Sequence, residues 1–141
     1  MLSLSGNKIG PAGNLAIANA LQLNTTLEQL AVAATDADTT AIIAYATVLQ
    51  HTTSLQAIDL SRPLLKSDQV RSENRLLLLC SMSMLACMQE ETTVHLAQAL
   101  AVNTSLKRLM MQKSGIHDFG MERLMAGLAR NTTLTHLDLS R

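Results

Sequence analysis

His51, His95, His117 and His136, together with Cys80 and Cys87, are the side chains that could ligate a metal or act as nucleophile and base. A zinc site needs His or Cys ligands a few residues apart on one turn or helix face, and no histidine pair has such spacing. Cys80 and Cys87 lie too far apart for a zinc knuckle and are too few for a disulfide framework, which leaves buried or incidental thiols. Glu90 and Glu91 resemble a catalytic carboxylate pair, but adjacent residues on a helix point apart. They read better as negative charge near a helix start. The chain contains no nucleophile elbow, phosphate loop or Ser/His/Asp arrangement. The expectation is therefore a protein that is not an enzyme, with no cofactor, no metal and no small-molecule substrate.

Composition points the same way. Lys plus Arg and Asp plus Glu number 11 each, so the formal charge is zero. Nucleic acids and anionic membranes both select for a basic surface, and neither is expected as a partner. Apolar residues make up 48% of the 141, yet Tyr45 and Phe119 are the only aromatics. Compact globules wedge aromatics between their layers. A core of Leu and Ala suggests thin, repeated layers. The first residues lack the basic leader and apolar run of a signal peptide. No stretch reaches the roughly 18 apolar residues of a membrane span. An intracellular chain, cytoplasmic or nuclear, is expected.

The layers appear as a repeat. Asn24-Thr25-Thr26-Leu27 recurs as Asn103-Thr104-Ser105-Leu106 and Asn131-Thr132-Thr133-Leu134, with Thr52-Thr53-Ser54-Leu55 as a variant. The closing leucines, Leu27, Leu55, Leu106 and Leu134, are separated by 28, 51 and 28 residues. A period of 28 lies in the leucine-rich-repeat range. Each phrase leads into one apolar frame: Leu27, Leu30, Val32; Leu55, Ile58, Leu60; Leu106, Leu109, Met111; Leu134, Leu137, Leu139. The last two members of each set are two apart, the period of a strand with one buried face.

Upstream of each phrase lies a helical stripe: Ile17, Ala18, Leu21; Tyr45, Ala46, Leu49; Leu96, Ala97, Leu100; Leu124, Met125, Leu128. The unit is strand, turn, helix, loop. One strand and one helix cannot bury their apolar faces alone, so copies must stack into a parallel sheet backed by a row of helices. Gly10-Pro11 reads as a turn and helix start. Gly13 and Gly120, each four residues after an isoleucine, fit either a close approach or a flexible turn.

Leu4-Ser5-Gly6-Asn7-Lys8-Ile9-Gly10, with Gly13, Ala18, Leu21 and the phrase at 24–27, resembles one full ribonuclease-inhibitor-like leucine-rich repeat. The likeness covers most of the chain outside residues 66–89. Residues 59–65 and 90–95 additionally resemble one individual leucine-rich-repeat protein. The family resemblance implies an α/β horseshoe, strands inside and helices outside, that binds protein. The family's signature asparagine stands only at Asn7, with Thr35, Pro63 and Ser114 at its equivalents, so a regular asparagine ladder is not expected.

Residues 66–89 break the pattern, as an insertion within the third repeat. A polar stretch, 70–75, runs into the apolar stretch 76–88. It reads as a short extra helix or a poorly ordered excursion. It also reads as a retained intron or extra exon. Removing 70–89 joins Gln69 to Glu90 and shortens the gap of 51 to 31. Valine codons begin GT, and a glutamine codon can end AG.

The three Asn-Thr-Thr or Asn-Thr-Ser phrases are formal glycosylation sequons, read here as by-products of the repeat. Alternation along each strand turns the residues between the leucines toward solvent. These are Gln29, Ala31 and Ala33; Ala57, Asp59 and Ser61; Arg108, Met110 and Gln112; and His136, Asp138 and Ser140. The leucine frame stays fixed while these types change, as selective protein recognition requires. The expected function is a protein-interaction scaffold that uses this concave face. The alternatives are an effector of a partner enzyme (an inhibitor or GTPase activator) and a truncated fragment without activity of its own. The chain opens and closes within strands, so a single leucine-rich-repeat domain, 1–141, incomplete at both ends, is expected.

Overall fold

The computed structural model describes residues 1–64 and 91–141; the expected insertion at 66–89 lies outside them. Five short strands form one parallel sheet in sequence order. They are β1 (Leu2–Ser3), β2 (Gln29–Ala31), β3 (Ala57–Asp59), β4 (Arg108–Met110) and β5 (His136–Asp138). The described helices are α1 (Gly10–Leu23), α2 (Thr39–His51), α3 (91–102) and α4 (Asp118–Leu128). Register follows the repeat: Leu2 lies beside Leu30, Leu30 beside Ile58, Ile58 beside Leu109 and Leu109 beside Leu137.

The leucine frame builds the core. Leu30, Val32, Ile58, Leu60, Leu109 and Met111 are at most 2% exposed. They pack against Ala18, Leu21, Tyr45, Ala46, Leu49, Leu96, Leu100 and Leu124. Burying each large member is worth about 1.5–3 kcal/mol. Two of the expected stripe positions differ. On α3 the core residue is Ala99, with Ala97 only half-buried. Ala97 lies under α4 instead, where a Cβ on Gly127 would run into its backbone carbonyl. On α4 Met125 is 38% exposed, because the described residues supply no further helix to cover that flank.

Local chemistry sets the helix starts. Pro11 occupies the first turn of α1, and Asp38 caps α2 by accepting from the Ala41 N–H at 2.9 Å. Gly13 and Gly120 sit inside helices, where a Cβ would crowd the side chains of Ile9 and Ile116. Close approach, rather than a flexible turn, explains both. The turns after the strands are left-handed at Gly6, Ala34, Arg62 and Lys113, which hold equivalent repeat positions.

The recurring phrase stitches the layers. The Oδ1 of Asn24, Asn103 and Asn131 each accepts two backbone N–H groups, from residues two and three further on, at 2.6–3.1 Å. The amides of the last two also reach the preceding layer. Asn103 Nδ2 donates to Leu49 O at 2.6 Å, and Asn131 Nδ2 donates to Leu100 O at 2.7 Å. These bonds satisfy helix-end carbonyls that would otherwise lack partners. Thr52 stands where a fourth asparagine would, and its hydroxyl only approaches Ser54 Oγ, at 3.5 Å.

A second polar cluster is buried. Asn14, wholly buried, donates to the carbonyls of Gly10 and Thr35 at 2.9 and 3.0 Å. Its Oδ1 faces Thr35 Oγ1 at 3.0 Å and accepts from the Tyr45 hydroxyl at 3.1 Å. Burial pushes the Tyr45 phenol well above its ordinary pKa. Thr35 also stands in for the family asparagine: its hydroxyl lies 2.7 Å from Val32 O, as Asn7 Nδ2 lies 2.9 Å from Leu4 O.

Candidate protein-binding face

Strand register arranges the outward residues in rows across the sheet. One row runs Gln29, Ala57, Arg108, His136, and the next runs Ala31, Asp59, Met110, Asp138. Beyond the strand ends, Ala33, Ser61, Gln112 and Ser140 continue the pattern through backbone bonds such as Arg62 N–H to Gln112 O at 2.7 Å. Arg108 and His136 are exposed; Gln29, Ala31, Asp59, Met110, Gln112 and Asp138 are half-buried.

Two positions depart from simple alternation. Ala57 is 7% and Ser61 6% exposed. Ala57 is too short to rise above its long row neighbours Gln29 and Arg108. The Ser61 hydroxyl accepts from Gln112 N–H at 3.0 Å, which ties it into the end of the sheet.

The carboxylates on the face are already engaged. Asp59 Oδ1 accepts from Ser61 N–H at 3.0 Å, and Asp138 Oδ1 accepts from Ser140 N–H at 3.0 Å. Gln112 Nε2 donates to the other Asp138 oxygen at 2.6 Å. The Gln112 amide, the Ser140 donors and the nearby His136 hold the Asp138 carboxyl below the usual carboxylate range. The basic side chains have no such company: among the described residues, Arg62, Arg108 and Lys113 make no ion pair.

The sequence-level metal and catalytic candidates are scattered. His51 ends α2, His95 lies on α3, His117 caps α4 and His136 lies on β5. Among the described residues, no three His, Cys, Asp or Glu side chains gather as a metal site. Cys80, Cys87 and Glu90 lie outside the described residues, and Glu91 is exposed. No described helix is long and apolar enough to cross a membrane. One concavity was not foreseen. An open cleft of about 460 Å³ lies between the C-terminal ends of α1 and α2, lined by Leu21, Asn24, Val48, His51, Thr52 and Ser54 among others. Its sequence signal was available: Thr52 in place of the stitching asparagine.

No protein-family model matches the chain. The chain is 32% identical over 99 residues to mouse leucine-rich repeat-containing protein 34, a match covering 70% of this chain but only 19% of that protein. It is the individual protein that residues 59–65 and 90–95 resemble. Solved structures share the fold. Leiomodin-1 Actin-Binding Site 2 matches with a TM-score of 0.72 at 19% identity, covering 99% of this chain and 70% of that one. The tropomodulin C-terminal domain from Caenorhabditis elegans matches with a TM-score of 0.71 at 12% identity, covering 100% and 74%. With its phrase-and-frame repeat, its in-order parallel sheet and these likenesses, the chain is similar to leucine-rich-repeat proteins.

Proposed function

We propose that the chain is a non-catalytic, intracellular protein-interaction module that holds a partner against the outward face of its sheet. In this reading the layers are part of a ribonuclease-inhibitor-like solenoid with a repeat of about 28 residues. The face is concave, and residues 66–89 are an insertion into the third repeat. The observation that carries the reading is the contrast across the sheet. A leucine frame fills one side, while the other carries Gln29, Asp59, Arg108, Met110, Gln112 and His136 in register, uncovered by any described element. Concave solenoid surfaces are the usual binding sites of such folds, and Arg and Met suit interface centres. The leiomodin-1 domain of the same fold is an actin-binding site, which supports a protein partner.

A photo-crosslinking residue placed at Met110 and, separately, at exposed Gln98 on α3 tests this in cells. The expected result is one discrete adduct from the Met110 position, reproduced with the purified partner. Adducts from Gln98 alone, or equal adducts from both, would refute the sheet face as the binding surface.

A further inference from the structure

We propose that the segment held by this face is acidic, with carboxylates spaced to meet Arg108 at one end of β4 and the Arg62–Lys113 pair at the other. The proposal rests on the sheet-face reading above and names the chemistry of the partner. It starts from an imbalance between groups on the same surface. Asp59 and Asp138 each accept a turn N–H group, and Asp138 also accepts from Gln112. The cations have no such partner among the described residues. Arg108, exposed, sits in its row between short Ala57 and His136, so nothing on the β3 side covers its guanidinium. Arg62 and Lys113, also exposed, follow β3 and β4 in left-handed turns, with φ of 56° and 55°. Adjacent strands hold them side by side, because Arg62 N–H bonds to Gln112 O. Among the described residues, neither they nor Arg108 has an ion-pair partner.

Charge complementarity then fixes the occupant. A guanidinium binds a carboxylate through paired N–H donors and is enriched at the energetic centres of interfaces. Lys113 lies five positions beyond Arg108, under about 17 Å away, since the extended strand ends at Met110 and Lys113 sits in the turn that follows. An extended segment keeps alternate side chains on one face, so one lying along β4 would present carboxylates about four residues apart. Its intervening side chains would lie over Met110.

Three labelled peptides of one length test this against the full chain by fluorescence polarisation. One carries glutamates about four residues apart, one carries them adjacent, and one has lysines in their place. The spaced-glutamate peptide should bind best, and binding should weaken as salt rises. Arg108→Gln should weaken it about tenfold and Arg108→Lys less, with the thermal melt unchanged because the side chain is exposed. Absence of binding, no preference over the lysine peptide, or an unaffected Arg108→Gln would overturn the proposal. The Met110 crosslink separates the two readings. If it persists in Arg108→Gln, the sheet face stands and the acidic segment falls. If the spaced-glutamate peptide binds but crosslinks at Gln98 instead, the sheet face itself is wrong.

Discussion

Replacing Thr52 by asparagine should stabilise the protein, because it supplies the one stitch the repeat lacks. At the equivalent position Asn103 is 5% exposed and makes three short bonds: to Leu49 O at 2.6 Å, and from Ser105 N–H and Leu106 N–H at 3.0 and 2.7 Å. Position 52 offers the same groups, the Leu21 carbonyl and the N–H groups of Ser54 and Leu55, at the mouth of the α1–α2 cleft. Each bond contributes about 1 kcal/mol net. Ordering the side chain and displacing water from a half-exposed site offset about half of that sum. The expected gain is about 1–2 kcal/mol, or a rise in Tm of about 3–8 °C for a chain of this size. The reverse series provides the control. Asn103→Thr should cost about 2–3 kcal/mol, since it strands a buried carbonyl and two N–H groups. Asn131→Thr should cost less, and exposed Asn24→Thr less than about 1 kcal/mol. Urea unfolding followed by circular dichroism measures all four, with an unchanged m-value as the check that only stability has moved. A neutral or destabilising Thr52→Asn would refute the stitching account, as would equal costs for the three asparagines.

Tyr45 is the only tyrosine and there is no tryptophan, so ultraviolet absorbance follows this one phenol through an alkaline titration. Its pKa is raised by burial, so only the unfolded state ionises above pH ~10. Stability should be complete below that pH and fall by about 1.4 kcal/mol per unit above it. Tyr45→Phe should cost about 1 kcal/mol, since Asn14 Oδ1 keeps Thr35 as a neighbour, and should abolish this alkaline dependence. A native phenolate forming near pH ~10 would contradict the burial. Gly127→Ala should cost about 2–3 kcal/mol, because its Cβ meets the Ala97 backbone, which cannot rotate away. Gly13→Ala should cost less, since its Cβ meets only the Ile9 side chain and the helix gains propensity. Equal melting temperatures for the two variants would show that α3 and α4 pack less closely than described.

Strands and their buried faces were readable because period-two alternation is a local signal. Leu30, Val32, Ile58 and Leu60 fall where the frame places them. Bonds between layers leave no local trace. Asn103 reaches Leu49 across 54 residues, and Asn14 reaches Thr35 across 21, so the recurring phrase marked only the repeat and Asn14 carried no signal. Left-handed Ala34, Arg62 and Lys113 were invisible because only glycine advertises that conformation. Alternation along the strands also gave the register rows of the outward positions, such as Gln29, Ala57, Arg108 and His136. It could not show that Ala57 is overshadowed by its row or that Ser61 is held by Gln112, because both depend on side chains from neighbouring strands.

The uneven register also bears on how the chain folds. Partners in the sheet are 28 residues apart at three of the strand pairs but 51 apart between Ile58 and Leu109. Bringing chain ends together in the unfolded state costs entropy that grows only with the logarithm of their separation. The wider span therefore adds only about 0.5 kcal/mol to that one pairing. Each side of it can zip up from short-range contacts, and the join between the two halves is slowed rather than forbidden. Refolding should then be limited by the meeting of β3 with β4, and a strand order interrupted by a long span remains reachable without a template.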